Sequence, residues 1–331
     1  MPFYLQRKYI DLIRQVSSKW VNWDPPIGVQ VGAYGTVDKE TGDLIVEGNV
    51  YDAAFQQELD KHGVGIKMSD FPPQEGPIED DFVISSRGAK RGDVDKDVDA
   101  PGIANASVKG KWLFQRGKRG AILIMHSPRQ IFLPPKVVLE PLYKVDKLID
   151  KMLVTNIHVC PAYSMYLSDK SGDNVSLALI SQTPIATAGV ENASGNGGFT
   201  WWVDAPNGIL RKASDQTGNF PFTPLYSLRR PIKRNRRFFR DAIRPEPAGD
   251  DLWYNDTTPW DPLDEDGEED PFDPVRVDDP VRHHRLLTTR AFQEIKAIDP
   301  FAAVDKAAAE KAAAEKAAAE AAAAAAATAA N

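Results

Sequence analysis

Cysteine is almost missing from this chain. Cys160 is the single one in 331 residues, so no intramolecular disulfide framework and no C-x-x-C metal or redox motif can form. Histidine is scarce too: His62, His126 and His158 stand isolated, and the pair His283-His284 has no acidic ligand at metal-site spacing. Long apolar runs are lacking. Outside a C-terminal alanine tract no window approaches about 18 uninterrupted apolar residues, and alanine is too weakly hydrophobic to make that tract a membrane helix. The opening stretch MPFYLQRKYIDLIRQV places charges among its apolar positions and has no small-residue cleavage site, so it does not read as a secretory signal. Catalytic signatures are absent: no G-x-S-x-G, P-loop, H-E-x-x-H or G-x-G-x-x-G after a strand. Asp93, Asp95, Asp97 and Asp99 alternate like the start of a cation loop, but position 104 is Ala where an EF-hand needs Glu. These gaps leave a soluble, cytosol-made, non-enzymatic protein with no cofactor and no metal as the expectation.

Charge is abundant and segregated. The net −7 averages over four unlike stretches. Residues 1–227 are nearly balanced at −2, 228–245 carry +7, 246–280 carry −13, and 281–331 carry +1. A basic block followed directly by an acidic one suggests that one masks the other.

Periodicity organises the rest. Leu5, Tyr9, Leu12, Ile13 and Val16 form one stripe of a helix over 3–18, with Arg7, Lys8 and Arg14 off it. Residues 28–51 predict two short strands around Asp38–Gly42, and 70–80 predict a Pro/Glu/Asp loop. From 104 to 115 the alternation is that of a two-faced strand: Val108, Trp112 and Phe114 on one side, Lys109 and Lys111 on the other. After the basic turn Arg116–Gly120 the run AILIM predicts the second arm of a hairpin. A helix is predicted over 136–152, then strands over 152–168, 174–182 and 199–203, with Glu191–Gly198 a turn or loop. Residues 245–280 are rich in Pro, Asp and Glu yet keep Trp253, Tyr254, Trp260 and Phe272 as aromatic anchors. From 286 to 331 one helix is expected; its Ala-Ala-Ala-Glu-Lys repeats resemble a semi-rigid spacer, native or engineered.

The order from Pro101 to Leu167 carries a resemblance. APGIANASVKGKWLFQ, an apolar strand, a basic-and-apolar helix and LVTNIHVCPAYSMYLS follow one another as in the amino-terminal pore-forming domain of gasdermins. The compact gasdermin-like cell-death proteins of fungi are especially similar. Leu153-Val154-Thr155-Asn156-Ile157 occupies the place of a Leu/Val-Val-Thr-Glu-Val strand, with Asn156 where the family often has Glu; the helix at 3–18 and GVQVGAYGTVDKETG fall in matching order. The resemblance covers roughly residues 1–230 and consists of element order and loose patterns. It implies an α+β fold: a twisted, mainly antiparallel sheet with packed helices, followed by an acidic loop and a C-terminal helix. The division is then a pore-forming domain at 1–244, an acidic linker or inhibitory lid at 245–285, and the Ala-rich helix at 286–331.

Function follows from the same resemblance. An activating protease would remove the C-terminal segment. The freed domain would move from the cytoplasm to the inner leaflet of the plasma membrane, bind acidic phospholipids, form a homo-oligomer and insert β-hairpins in regulated cell death. Strands of about 9–11 residues with alternating faces suit that insertion. Residues 104–115 with 118–126 (Val108, Lys109, Lys111, Trp112, Phe114, Ile122, Ile124) would supply one hairpin, and 153–167 with 175–182 another. Lipid contacts would come from Arg7, Lys8 and Arg14, and from Arg229, Arg230, Lys233, Arg234, Arg236, Arg237 and Arg240 around Phe238-Phe239. Arg240 and Arg244 are candidate cleavage sites. The basic segment has other readings. A non-lytic scaffold or nucleic-acid-binding protein would use it on a polyanion with the acidic tail competing, and a plain tether neutralised by its neighbour is the simplest. The acidic block is correspondingly a lid or a solubilising linker.

Overall fold

A computed structural model describes residues 3–92, 106–181, 199–232, 252–255, 257–264 and 266–269, all within one compact unit, Met1–Asp270. In chain order the elements are α1 (Phe3–Ser17), β1 (Trp20–Val21), β2 (Ala33–Val37), β3 (Leu44–Asn49), α2 (Ala53–Lys61), β4 (Gln74–Ile78), β5 (Phe82–Ser85) and β6 (Ala89–Gly92). Then come β7 (Ala106–Phe114), β8 (Ala121–His126), β9 (Arg129–Phe132), α3 (Pro135–Tyr143), β10 (Met152–Cys160), β11 (Ala162–Leu167) and β12 (Asn174–Ser181). The last are β13 (Phe199–Asp204), β14 (Ile209–Ser214), β15 (Phe222–Pro231) and β16 (Trp253–Asn255). The fold is α+β with antiparallel sheets. The first sheet runs β1-β15-β10-β2-β3, with β16 beside β15, β9 beside β10 and β4 beside β9; the second runs β14-β11-β8-β5, and the third β13-β12-β7-β6.

The run AILIM is continuous because β8 is buried on both faces. Ala121, Leu123 and Met125 join the main core with Leu5, Tyr9, Ile10 and Ile13 of α1. Ile122 and Ile124 turn the other way, into a second core with Val108, Trp112 and Phe114 of β7 and Val175, Leu177 and Leu179 of β12. The Tyr9 hydroxyl ties α1 down by donating to the Ile122 carbonyl at 2.7 Å. The second sheet is thus a middle layer, with the third sheet on one side and α1 and the main core on the other. On the far face of the third sheet Ser107, Lys109 and Leu113 of β7 are exposed, which is why β7 alternates and β8 does not, although Ser176 and Ala178 of β12 on that face are buried.

Several sequence expectations change here. The 104–115 and 118–126 strands do not pair as a hairpin: β7 pairs with β6 and β12, whereas β8 pairs with β5 and β11. Laid side by side in one sheet, the two-faced apolar β8 would leave one apolar face in water; stacking the strands in separate layers buries both. The predicted strand 152–168 is broken at Pro161, which has no N–H to donate, into β10 of the first sheet and β11 of the second. The proposed partnership of 153–167 with 175–182 therefore fails as well, since β12 lies in the third sheet. Helix 136–152 is curtailed. Pro141 lies inside α3, the chain continues as a short 3-10 turn at Asp146–Leu148, and Asp150 adopts a left-handed φ of 62° before β10. Within the expected loop 70–80, Gln74–Ile78 forms β4, which pairs with β9 on the side away from β10. The C-terminal helix at 286–331 lies outside the described residues.

Candidate functional site

Four bends connect the second and third sheets. β5 runs into β6, β7 into β8, β11 into β12 and β13 into β14, and the strand orders β14-β11-β8-β5 and β13-β12-β7-β6 match position for position. The pair of sheets is therefore a four-stranded sheet folded over along one line. Neighbouring bends are stitched together. Gln115 N–H donates to the Gly88 carbonyl (3.2 Å), Gly117 N–H to the Lys170 carbonyl (2.9 Å), and Gly120 N–H to the Ser168 hydroxyl (2.8 Å). The Asn207 amide donates to the Asp173 carboxylate at 2.5 Å, closing the line at the fourth bend. Gly172 has a φ of +82°, and a Cβ there would lie 3.0 Å from the Arg116 backbone, so close approach of two bends depends on that glycine.

The candidate membrane residues fall on this double layer. Val108, Trp112, Phe114, Ile122 and Ile124 come together in the inter-sheet core, while Lys109 and Lys111 face away from it on the third sheet. Trp112 is wholly buried, with its indole N–H on the Ser85 hydroxyl at 3.0 Å. Its ring lies over Gly110, where a Cβ would come within 2.1 Å of it. Trp201 of β13 packs in the same core and donates to the Ala213 carbonyl at 3.1 Å. Arg91, on the inner-face register of the edge strand β6, sends its guanidinium to the Lys109 carbonyl at 3.2 Å.

The acidic block lies against α1. Trp260 is buried with its ring edge-on to Trp20 (centroids 6.0 Å apart), and the Arg7 guanidinium sits 5.9 Å from its centroid. Its indole N–H donates to Asp11 at 3.3 Å. Burial pushes the Asp11 carboxyl up from its ordinary range, although that hydrogen bond and Arg14, Lys8 and Arg7 pull it down. Arg7 pairs with Glu269 at 2.7 Å, and its side chain is only 13% exposed. Lys8 Nζ donates to the carbonyls of Leu263 (3.1 Å) and Asp264. The Asp264 carboxylate accepts from the N–H groups of Asp266, Gly267 and Glu268, which curls the segment so that Asp266 reaches Lys170 of the third bend at 2.6 Å. Further up, β16 pairs with β15 opposite Arg229, Arg230 and Pro231, and the Trp253 indole N–H donates to the Leu139 carbonyl of α3 at 2.8 Å. A cleft of about 440 Å³ remains between α1 (Lys8), the first two bends (Arg87, Lys118, Arg119) and the acidic segment (Leu263, Asp264).

Two of the candidate lipid-contact cations, Arg7 and Lys8, are thus engaged by the acidic segment, and Arg14 lies over the Trp20 ring at 5.3 Å. Arg229 and Arg230 are half-buried strand residues. Lys233, Arg234, Arg236, Arg237, Arg240 and Arg244 lie outside the described residues. Arg87 was not singled out in the sequence, and Arg119 only as part of the basic turn Arg116–Gly120; their signal as site residues is a cation beside a glycine in a turn. Cys160 is fully buried, which pushes its thiol well above the ordinary range. Among the described residues no group of three or more His, Cys, Asp or Glu could hold a metal ion, and no helix is long and apolar enough to cross a membrane, which does not bear on strands. No family model, curated protein or solved structure matches the chain.

Proposed function

We propose that this chain is a latent pore-forming protein of gasdermin-like design, held closed by its acidic segment and activated when proteolysis frees it. The observation that carries the reading is the folded-over sheet. Straightening at the four bends would turn β5–β6, β7–β8, β11–β12 and β13–β14 into four long antiparallel strands without changing any strand neighbour. The inserting hairpins in this reading are β6–β7 and β12–β13, which are already paired with each other in sequence order.

Energetics favour a membrane as the trigger. Opening the sandwich in water would expose the inter-sheet core, at roughly 1.5–3 kcal/mol for each large apolar side chain. Against hydrocarbon that loss disappears, while the alternate face, with Lys109 and Lys111, stays in water as a barrel lumen requires. β7, at nine residues, has the length of a membrane strand. A four-stranded sheet has edges at β6 and β13, and an open edge is not tolerated in lipid, so copies must join β13 to the next copy's β6 until a ring closes. Loss of the acidic segment frees Arg7 and Lys8 on α1 and leaves residues 1–244 with net +5, suited to the acidic inner leaflet of the plasma membrane. Permeabilisation there would serve regulated cell death.

The test uses the full chain with a site-specific protease sequence replacing residues 245–250, cut in the presence of dye-loaded vesicles. Leakage that requires both cleavage and acidic lipid is expected. Complete cleavage without leakage, accompanied by salt-sensitive binding to DNA or RNA, would overturn the reading in favour of a polyanion-binding scaffold.

A further inference from the structure

The cleft between α1, the first two bends and the acidic segment gathers cations from three separate parts of the chain. Arg87 comes from the first bend, Lys118 and Arg119 from the second, and Lys8 from α1. Close packing holds the two bends together. A Cβ on Gly88 would lie 3.3 Å from the Arg119 carbonyl oxygen, and Gln115 N–H donates to the Gly88 carbonyl at 3.2 Å. Arg119 is anchored from behind: its guanidinium donates to the Ser168 carbonyl at 3.1 Å, while its buried Nε–H has no acceptor. Arg87 and Lys118 are exposed, and neither pairs with a described residue. Like charges gathered on one cleft repel one another. The one acidic side chain among the described lining residues, Asp264, directs its carboxylate to the N–H groups of Asp266, Gly267 and Glu268.

We propose that this cleft binds a compact, water-soluble polyphosphate anion, held by Arg87, Lys118 and Arg119. Guanidinium groups match phosphate oxygens two at a time and an ammonium adds a point charge, so clustered phosphates suit this set better than a single carboxylate. The volume of about 440 Å³ is that of a small-ligand site. None of the described lining residues is aromatic, so a base would find no stacking platform; an inorganic or polyol polyphosphate fits better than a nucleotide. Leu263 and Asp264 form one wall, so the site in this shape exists only with the acidic segment docked. A bilayer is flat on this scale and cannot follow a headgroup into a cleft walled on three sides, whereas a soluble anion can enter. Occupancy therefore clamps the two bends against α1 and the segment, and by linkage it favours the closed chain. The binding itself does not depend on the pore reading; it adds a ligand that opposes release of the segment.

The experiment uses the full, uncut chain and inorganic tripolyphosphate, followed by titration calorimetry at fixed ionic strength, with sulfate as the comparison anion. Saturable one-to-one binding of tripolyphosphate is expected, together with slower limited proteolysis within 252–269. The double variant Arg87→Gln, Lys118→Gln should weaken binding by about 100-fold. Lys61→Gln, at an exposed cation of α2 away from the cleft, should leave it unchanged. Both cleft side chains are exposed, so their replacement spares the fold, and a thermal melt of the double variant checks this. Sulfate binding as tightly as tripolyphosphate, or a double variant that binds as well as the native chain, overturns the proposal. An uncut chain that ignores tripolyphosphate but is recruited through the same two residues to vesicles carrying a phosphoinositide also overturns it, and assigns these cations to a lipid headgroup. Binding without slower proteolysis overturns the clamp. No leakage is read, so failure here leaves the pore reading standing, and failure of the pore leaves the anion site standing.

Discussion

At the scale of single residues, the hold of the acidic segment concentrates in Trp260. Ion pairs whose acidic partner is open to water, such as Arg7–Glu269 and Lys170–Asp266, contribute little one at a time, because water and salt screen them. A buried indole packed on Trp20, hydrogen-bonded to Asp11 and covered by Arg7 contributes far more. Trp260→Ala should weaken docking by about 3–5 kcal/mol, so that the 252–269 segment of the uncut chain becomes sensitive to limited proteolysis. Unchanged protection would place the hold elsewhere, in β16 and Trp253. A second residue governs acid stability. His158 is buried with its Nδ1 unpartnered, and burial, helped by Lys19, lowers its pKa to about 3. An unfolded histidine titrates near 6.5, so the unfolded state binds the extra proton between these values. Stability carried by neutral His158 is therefore complete above about pH 6.5 and is lost as pH falls toward 3, by at most about 1.4 kcal/mol per unit. Denaturation midpoints of His158→Phe should decline less steeply than those of the native chain over that window; parallel curves would exclude the histidine as the cause.

At the scale of elements, the bends decide how the two sheets close. Gly117 and Gly172 share a φ of +82°, but only Gly172 faces the Arg116 backbone, while nothing lies within 4 Å of a Cβ at Gly117. Gly117→Ala should cost about 1–2 kcal/mol for the left-handed conformation alone. Gly172→Ala should cost more and loosen the join between the second and third bends. Urea midpoints compared between the two variants check this, and equal losses would mean the backbone contact relaxes freely. The same elements mark how far the sequence could be read. Alternation in β7 and the continuous run of β8 were legible because each records burial on one face or on two. Which strands they pair with was not, since a five-residue basic turn looks the same whether it joins neighbours in one sheet or crosses between layers. The partners β12 and β11 lie far along the chain and leave no local mark. The break at Pro161 was visible as a proline but not as a change of sheet. Of the site, the cations of α1 and the aromatics of the acidic block could be picked out one by one. Their meeting depends on the tertiary path that brings residue 260 to residue 7.

At the scale of the whole molecule, Arg7 and Lys8 are asked to serve two partners in turn. In the closed chain they hold Glu269 and the Leu263 and Asp264 carbonyls; in the proposed active form they face acidic lipid. One substitution should therefore act with opposite sign on the two steps. Arg7→Gln with Lys8→Gln in the uncut chain loosens the clasp, and hydrogen exchange in 263–269 should speed up. After cleavage the same variant lacks two of the cations that meet the membrane, each contributing about 1 kcal/mol near an acidic surface, so its partitioning onto acidic vesicles should fall by about 30-fold. A like pair of neutralisations at Lys90 and Lys111, on the face of the third sheet remote from the clasp, should alter neither exchange nor first binding. Accelerated exchange with unchanged partitioning would mean that the acidic segment covers α1 for stability and that the membrane is met by another surface. Slower partitioning with unchanged exchange would mean that the clasp depends on Trp260 and Trp253 alone. Only the joint result identifies the clasp with the lipid contact, and with it the reason a chain of net −7 keeps a basic helix under an acidic cover.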